Sequence, residues 1–343
     1  LEPGPDIRDV EAKILAQHAD LDLAASPAHT APGYHFLDVV GEGSFAVVWR
    51  ARQPALGREV AIKQIRSHLA NRPEFVRRFE AEAQLVASLE HPFLVPLHDY
   101  WREPDGAFLV MRWLRGGTLS SRLLDGPLPA SSLAQLIGQI GAALRAAHRS
   151  GVIHRDVKPG NILFDHEGTA FLSDFGIAYG ADDDAFAEAM STGSPAYASP
   201  EQLRRDELDG RSDLYGLGIV VFEAATGRLP FAASSQAELI RAQLEDRVPL
   251  PSDTGEVVPA WIDAVVAGCC AKDRADRFAT VDEMLRTIRF EDDRVRSSTS
   301  SGRIGGGARS ADERPGAFAE GGGGRNPYKG LRAFAESDTA DFR

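Results

Sequence analysis

The run His154-Arg155-Asp156-Val157-Lys158-Pro159-Gly160-Asn161, followed thirteen residues after its last member by Asp174-Phe175-Gly176, constrains this 343-residue chain more than any other stretch. It sets an acid, a lysine, an amide and a second acid on two neighbouring turns, so the fold must bring four polar groups to one surface. The residue types suit one chemistry. Moving a phosphoryl group requires charge on the phosphate to be neutralised and the acceptor to be held in line. Asp156 can orient an acceptor hydroxyl and take its proton, and Lys158 can place a positive charge on a γ-phosphate. Asn161 and Asp174 offer hard oxygens suited to Mg²⁺, which keeps several waters and takes only one or two carboxylates. Any one of these residues alone reads equally well as a solvated loop group; the ordered set does not.

The catalytic-loop run and the Asp-Phe-Gly triplet resemble those of eukaryotic-type (Hanks-type) bacterial serine/threonine protein kinases. The resemblance extends from about Tyr34 to Phe290, and Ser199-Pro200-Glu201-Gln202 resembles the bacterial branch in particular. It implies an α+β, bilobal fold: a small N-lobe (34–114) with an antiparallel five-stranded sheet plus one helix, and a larger, mainly helical C-lobe (117–290). It also implies ATP and Mg²⁺ as cofactors, with Mn²⁺ as a substitute, and proteins with Ser/Thr acceptors as substrates. Lys158 and Ser194, ahead of Tyr197, resemble the Ser/Thr branch rather than the tyrosine branch. An alternative of another class is a nucleotide-binding pseudokinase that serves as a scaffold for a C-terminal signalling module.

Composition bounds the reading. At roughly 150 residues per domain the length suggests about two domains, and 43% apolar residues suffice for a sizeable core. A formal net charge of −12 argues against nucleic acid or an anionic membrane as the main partner. The only cysteines, Cys269-Cys270, are too few for a disulfide framework and sit among apolar residues, so they read as packing residues in a reducing, cytoplasmic setting. No apolar run approaches ~18 residues, and no secretory signal pattern opens the sequence.

Residues 1–33 form an Ala-, Pro- and Asp-rich extension in which Ile7, Val10, Ile14 and Leu15 fall at helical spacing. From Tyr34 to Ile65 the pattern turns β, and three antiparallel strands are expected. Gly41-Glu42-Gly43-Ser44-Phe45-Ala46 with Val48 matches a glycine-rich phosphate loop whose third glycine is replaced by Ala46. Alone, it could equally be an ordinary hairpin turn; it gains force from Val60-Ala61-Ile62-Lys63 on the third strand. Pro73 opens a helical run with Phe75, Phe79, Val86 and Leu89 on one stripe. Glu82 lands within that stripe, where a lone carboxylate is costly unless paired. Lys63 is its expected partner, as the resemblance also implies; otherwise Glu82 snorkels to solvent. Two more strands are expected around Val95–Arg102 and Phe108–Trp113, turning at Pro104-Asp105-Gly106. By the resemblance Ala61 and Met111 line an adenine pocket, and Arg112 C=O and Leu114 N–H offer hinge hydrogen bonds, though Met111 and Trp113 would also serve as plain core.

In the second lobe, Leu133, Leu136, Ile137, Ile140, Leu144 and His148 make one helix face, stopped near Gly151. A further helix is expected over Asp213–Thr226, and Thr280-Val281-Asp282-Glu283 reads as a capping box for the last one. The resemblance gives Asp213 the brace of the catalytic loop and pairs Arg277 with Glu201 to tie down the substrate-binding segment. The loop between Asp174 and Glu201 carries Asp182-Asp183-Asp184 and then Ser191-Thr192-Gly193-Ser194-Pro195. Autophosphorylation at Ser191 or Thr192, with the phosphate docking on Arg155, is expected. Residues 291–325 are Gly/Ser-rich and read as a flexible linker. Residues 326–343, from Asn326-Pro327-Tyr328-Lys329-Gly330, resemble the start of a STAND-type NTPase module of the kind found ahead of WD40 repeats. The start at Leu1 rather than Met and the stop at Arg343 suggest a fragment of a longer regulator.

Overall fold

Alternation along Val60-Ala61-Ile62-Lys63-Gln64-Ile65 sets the design of the first lobe. In the computed structural model, which describes residues 33–42, 46–104, 106–175 and 195–288, this stretch is the centre of a five-stranded antiparallel sheet. Its strands are β1 (His35–Glu42), β2 (Ala46–Gln53), β3 (Arg58–Arg66), β4 (Leu97–Glu103) and β5 (Gly106–Arg112), in the order β1-β2-β3-β5-β4. Outside the described residues lie the N-terminal extension up to residue 32, Gly43, Ser44 and Phe45, the side chain of Glu82, Asp105, the loop with Ser191, Thr192 and Ser194, and everything from 289 onward.

Successive strand side chains point to opposite faces. On one face Val60 and Ile62 meet Phe108 and Val110, and Trp101 stacks between Phe108 (centroids 4.9 Å apart) and Tyr34 (5.7 Å). On the other face Ile65 and Leu109 pack with Phe79, Ala83 and Leu94. Lys63, out of phase with Ile62, therefore lies on the side of helix α2 (Pro73–Ala87), which follows a one-turn helix α1 (Ser67–Ala70). Pro73 suits the first helical position, where the missing N–H costs nothing. Of the expected stripe, Phe79 is fully buried, while Phe75, Val86 and Leu89 are partly buried against the same core. Leu89 lies beyond the helix end.

The fourth and fifth strands differ from the expected Val95–Arg102 and Phe108–Trp113 by a residue or two at each end. The physical reason is a competing partner. Leu94 forms a bridge to Leu172, and the Val95 N–H donates to Leu172 O at 2.9 Å, so 94–95 belong to the junction with the second lobe rather than to the sheet.

The second lobe contains α3 (Leu119–Leu123), α4 (Ala130–Arg149), the hairpin β6 (Ile162–Phe164) and β7 (Ala170–Leu172), α5 (Pro200–Arg204), α6 (Gly210–Thr226), α7 (Gln236–Glu245), α8 (Ala260–Cys269) and α9 (281–288). The apolar face of α4 is buried as its periodicity requires, with His148 half-buried at the end. Helix α6 begins three residues before the expected Asp213, because Asp209 caps it by accepting from the Arg211 N–H at 2.8 Å. It ends at Gly227, whose φ of 70° is the left-handed conformation that closes helices. Every residue of 212–226 except Glu223 is buried, so α6 is the axis around which the lobe packs. At the last helix, Thr280 Oγ1 accepts from the Glu283 N–H (3.3 Å), while the Glu283 carboxylate reaches the Ala279 N–H (2.8 Å), one residue before the expected position. Among the described residues no helix is long and apolar enough to cross a membrane.

Cys269 and Cys270 are both buried free thiols, and burial pushes Cys270 up to about 12, which makes it a packing group and no nucleophile. They press on α6 at Gly218, where a Cβ would collide with Cys270 Sγ and Cys269 Cβ. Gly218→Ala is expected to lower unfolding free energy by about 1–3 kcal/mol through overpacking, measurable by chemical denaturation with unchanged helix content.

Candidate active site

Two loops converge because a two-stranded hairpin joins them. In β6–β7, Ile162 pairs with Leu172, and the pairing continues outward: Asn161 O accepts from both the Ser173 N–H (2.9 Å) and Ser173 Oγ (3.0 Å). Asn161 and Asp174 thus follow directly from paired positions. The hairpin also fixes the passage between lobes. Gly116 N–H donates to Phe164 O at 2.8 Å, and a Cβ there would strike the Phe164 and Asp165 carbonyl oxygens. Only glycine permits that approach.

Around Asp156 every nearby polar group has a direction. Lys158 Nζ sits 2.7 Å from Asp156 Oδ2. The Asn161 amide donates to both Asp156 O and Asp156 Oδ2, each at 2.8 Å. That use of Nδ2 leaves Asn161 Oδ1 as the acceptor atom of the amide. His154, fully buried, accepts from the Asp156 N–H at Nδ1 (3.2 Å), so its proton resides on Nε2 and is donated to Ser173 O (2.8 Å). One neutral tautomer therefore links the Asp156 loop to the segment ahead of Asp174, and the His154 ring packs 4.7 Å from Phe175.

The loop is held from below. Asp213 on α6 accepts from the His154 N–H (2.8 Å, Oδ2), the Arg155 N–H (2.8 Å, Oδ1) and His148 Nε2 (2.7 Å). The Gln202 amide donates to Arg155 O at 2.7 Å. Arg155 has φ 67°, a left-handed conformation costly for a side-chain-bearing residue. The bonds on both sides of its peptide hold it there.

From the first lobe, Lys63 Nζ reaches Asp174 Oδ1 at 2.9 Å. Burial acts to raise the Asp174 carboxyl, but the Lys63 ammonium, with Lys158 beside it, outweighs that and holds it below the usual carboxylate range. The expected Lys63 partner was Glu82, whose side chain is outside the described residues; the carboxylate Lys63 meets here is Asp174. Gly41, Glu42, Ala46, Val48 and Ala61 lie on β1–β3, with Gly41 opposite Val48 and Ala61 opposite Met111. Glu42 pairs with Arg66 at 2.7 Å on the exposed side. Met111 and Leu114 pack with Val95, Leu163 and Phe171, an apolar layer made by both lobes, and the Arg112 N–H is bonded to Pro96 O.

Glu201 and Arg277 form the expected pair, bidentate at 2.7 and 2.8 Å and buried, with Ser212 Oγ adding a third bond at 2.6 Å. Burial acts to raise the Glu201 carboxyl, yet Arg277 and Ser212 hold it down at about 2. Gln202 was not expected to touch the catalytic loop. Its signal was present in Ser199-x-x-Gln202: this capping box is formed, with Ser199 N–H donating to Gln202 Oε1 at 3.0 Å, which leaves the amide nitrogen free to reach Arg155 O.

The two lobes thus set an acid–lysine–amide cluster on one side of a cleft and the Lys63 ammonium on the other. The sequence model of the family described as Protein kinase domain matches residues 34–288, and the chain belongs to that family. The serine/threonine-protein kinase PrkC of Bacillus subtilis (strain 168) is 38% identical over 266 residues, covering 76% of this chain and 41% of PrkC. Serine/threonine-protein kinase PknB of Mycobacterium leprae is 37% identical over 267 residues, covering 76% and 43%. The chain thus spans about two fifths of the length of these relatives. A crystal structure of the Mycobacterium tuberculosis PknI kinase domain shares the fold, with a TM-score of 0.63 at 24% identity over 79% of this chain and 100% of that one.

Glu201→Gln leaves the buried Arg277 charge uncompensated, and a drop of about 3 kcal/mol or more in stability at pH 7 is expected. A carboxyl whose pKa is depressed on folding contributes its stability above the unfolded value, near 4.5, and loses it as pH falls toward about 2. Urea titrations of both proteins across that range are expected to show the gap closing in acid.

Proposed function

We propose that the chain is a serine/threonine protein kinase that transfers the γ-phosphoryl group of ATP to Ser and Thr hydroxyls of proteins. The observation that carries this reading is the convergence of Asp156, Lys158 and Asn161 on one loop with the Lys63–Asp174 pair at 2.9 Å. Asp156 orients the acceptor hydroxyl and takes its proton as the oxygen bonds to the γ-phosphorus. The bond from that phosphorus to the β,γ-bridging oxygen breaks, and ADP leaves. Lys158 is placed to neutralise the moving phosphoryl group. The donor set fits Mg²⁺: Asn161 Oδ1 and the Asp174 carboxylate are hard oxygens on adjoining turns, and Mn²⁺ would suit the same ligands. When bound, the ion would neutralise charge on the triphosphate. In that complex Lys63 exchanges Asp174 for the α- and β-phosphates, with Glu82 as its second partner.

Gly41 to Ala46 with Val48 and Ala61 would cover the phosphates and adenine from above, with the Met111, Leu114 and Phe171 layer beneath, and the hinge bonds assigned to Arg112 and Leu114. The kinase domain is assigned to 34–290, with an N-terminal extension, a linker at 291–325 and the start of a STAND-type segment at 326–343. In the longer polypeptide, modules of that type with WD40 repeats are the proposed partners. Autophosphorylation is assigned to Ser191 or Thr192, with Arg155 receiving the phosphate, and the site of action to the cytoplasm.

The test is transfer of labelled phosphate to a generic protein acceptor. Asp156→Asn keeps the shape of the side chain and removes the base, so a loss of about 10²–10⁴-fold in kcat is expected. Equal incorporation by the two proteins would reject the role. Phosphopeptide mapping after incubation with ATP and Mg²⁺ is expected to find Ser191 or Thr192 modified; a map with neither rejects that assignment.

A further inference from the structure

The turn 195–197 joins the described chain directly to Ser199 and lies against α6 and α7, with Pro195 and Ala196 buried. It is gripped from two sides. Tyr197 Oη donates to Glu223 Oε2 of α6 at 2.6 Å. On the other side the Ala196 carbonyl oxygen accepts from Gln243 Nε2 of α7. Gln243 is fully buried, and its Oε1 accepts from Tyr215 Oη of α6.

Lys272 completes this chain of bonds. Its Nζ donates to Tyr215 Oη (2.9 Å), Gln243 O (2.7 Å) and Ala242 O (3.3 Å). Three ammonium protons meet three acceptors, and none of these is a carboxylate. Burying an ammonium in this way is costly, and burial pushes Lys272 down to about 8, which leaves it protonated at neutral pH. Two gains offset the cost. The ammonium sits on the last carbonyls of α7, the negative end of that helix. It also fixes a direction. The Ala196 carbonyl can only accept, so Nε2 and not Oε1 faces it, and Oε1 takes the Tyr215 proton while Tyr215 Oη accepts from Lys272. Donation therefore runs one way, from Lys272 through Tyr215 and Gln243 to Ala196.

We propose that Gln243 is a positioning residue for the protein acceptor: oriented by Lys272 through Tyr215, it fixes the turn 195–197 at the height needed to receive the chain carrying the acceptor hydroxyl. This rests on the kinase reading, in which that turn borders the acceptor. ATP is bound elsewhere, so the role affects one substrate and not the other.

Steady-state kinetics of the full chain with a generic protein acceptor separate the two. Gln243→Met keeps the volume and removes both bonds. Gln243→Glu keeps an acceptor for Tyr215 but sets a carboxylate oxygen against the Ala196 carbonyl. Both are expected to raise KM for the protein acceptor about five- to tenfold, the size of one lost buried hydrogen bond, with KM for ATP unchanged. Tyr215→Phe removes a single oxygen from a packed ring and is expected to move acceptor KM in the same direction, which gives a result even if the Gln243 variants do not fold. A lowered melting temperature with wild-type acceptor KM would overturn the positioning role and leave the kinase reading standing. Absence of transfer by the wild type would overturn the kinase reading itself.

Discussion

One carboxylate organises the site. Asp213, carried on a helix that is buried nearly all round, accepts two consecutive backbone N–H groups and an imidazole nitrogen. Three donors converging on one buried side chain leave it a single orientation. Those bonds hold Arg155 in its left-handed conformation, which turns the chain so that Asp156, Lys158 and Asn161 converge. A residue buried in α6 thus decides where the Asp156 side chain stands. Glu201 and Arg277 do the same for the segment on the other side, and Gln202 joins the two systems by reaching from the capping box to Arg155 O.

The lobes are joined by three kinds of contact. Backbone bonds run from Val95 to Leu172 and from Gly116 to Phe164. An apolar layer combines Met111 with Leu163 and Phe171. Among the described residues the ion pair of Lys63 with Asp174 crosses the cleft. Both members of the ion pair are partly exposed, Lys63 at 24% and Asp174 at 27%.

Much of this was legible in the chain. The Val60-Ala61-Ile62-Lys63 run placed Lys63 on the third strand, and helical periodicity found the buried face of α4. The order of the polar motifs named side chains that the structure brings together, Asp156 with Lys158 and Asn161. Glu201 with Arg277 and Asp213 with the catalytic loop were foreseen through family resemblance rather than spacing, because pairs separated by 76 and 58 or 59 residues leave no periodic trace. Lys63 shows where periodicity stops. It put Glu82, whose side chain lies outside the described residues, on the buried stripe, while the contact of Lys63 with Asp174 depends on the spacing of the lobes. The ends of β4 failed for a related reason: Leu94 and Val95 have strand character, and only the three-dimensional neighbour decides which strand they join.

By itself the sequence determined the buried face of α4 and the packing place of Cys269 and Cys270, since each follows from local residue type and period, and the resemblance it carries gave the α+β architecture. Tertiary structure alone decided the tautomer of His154, the partner of Lys63, the reach of Gln202 and the directed bonds from Lys272 to Ala196. Those depend on which buried donors and acceptors finally face one another. Packing fixes that, and no linear pattern encodes it.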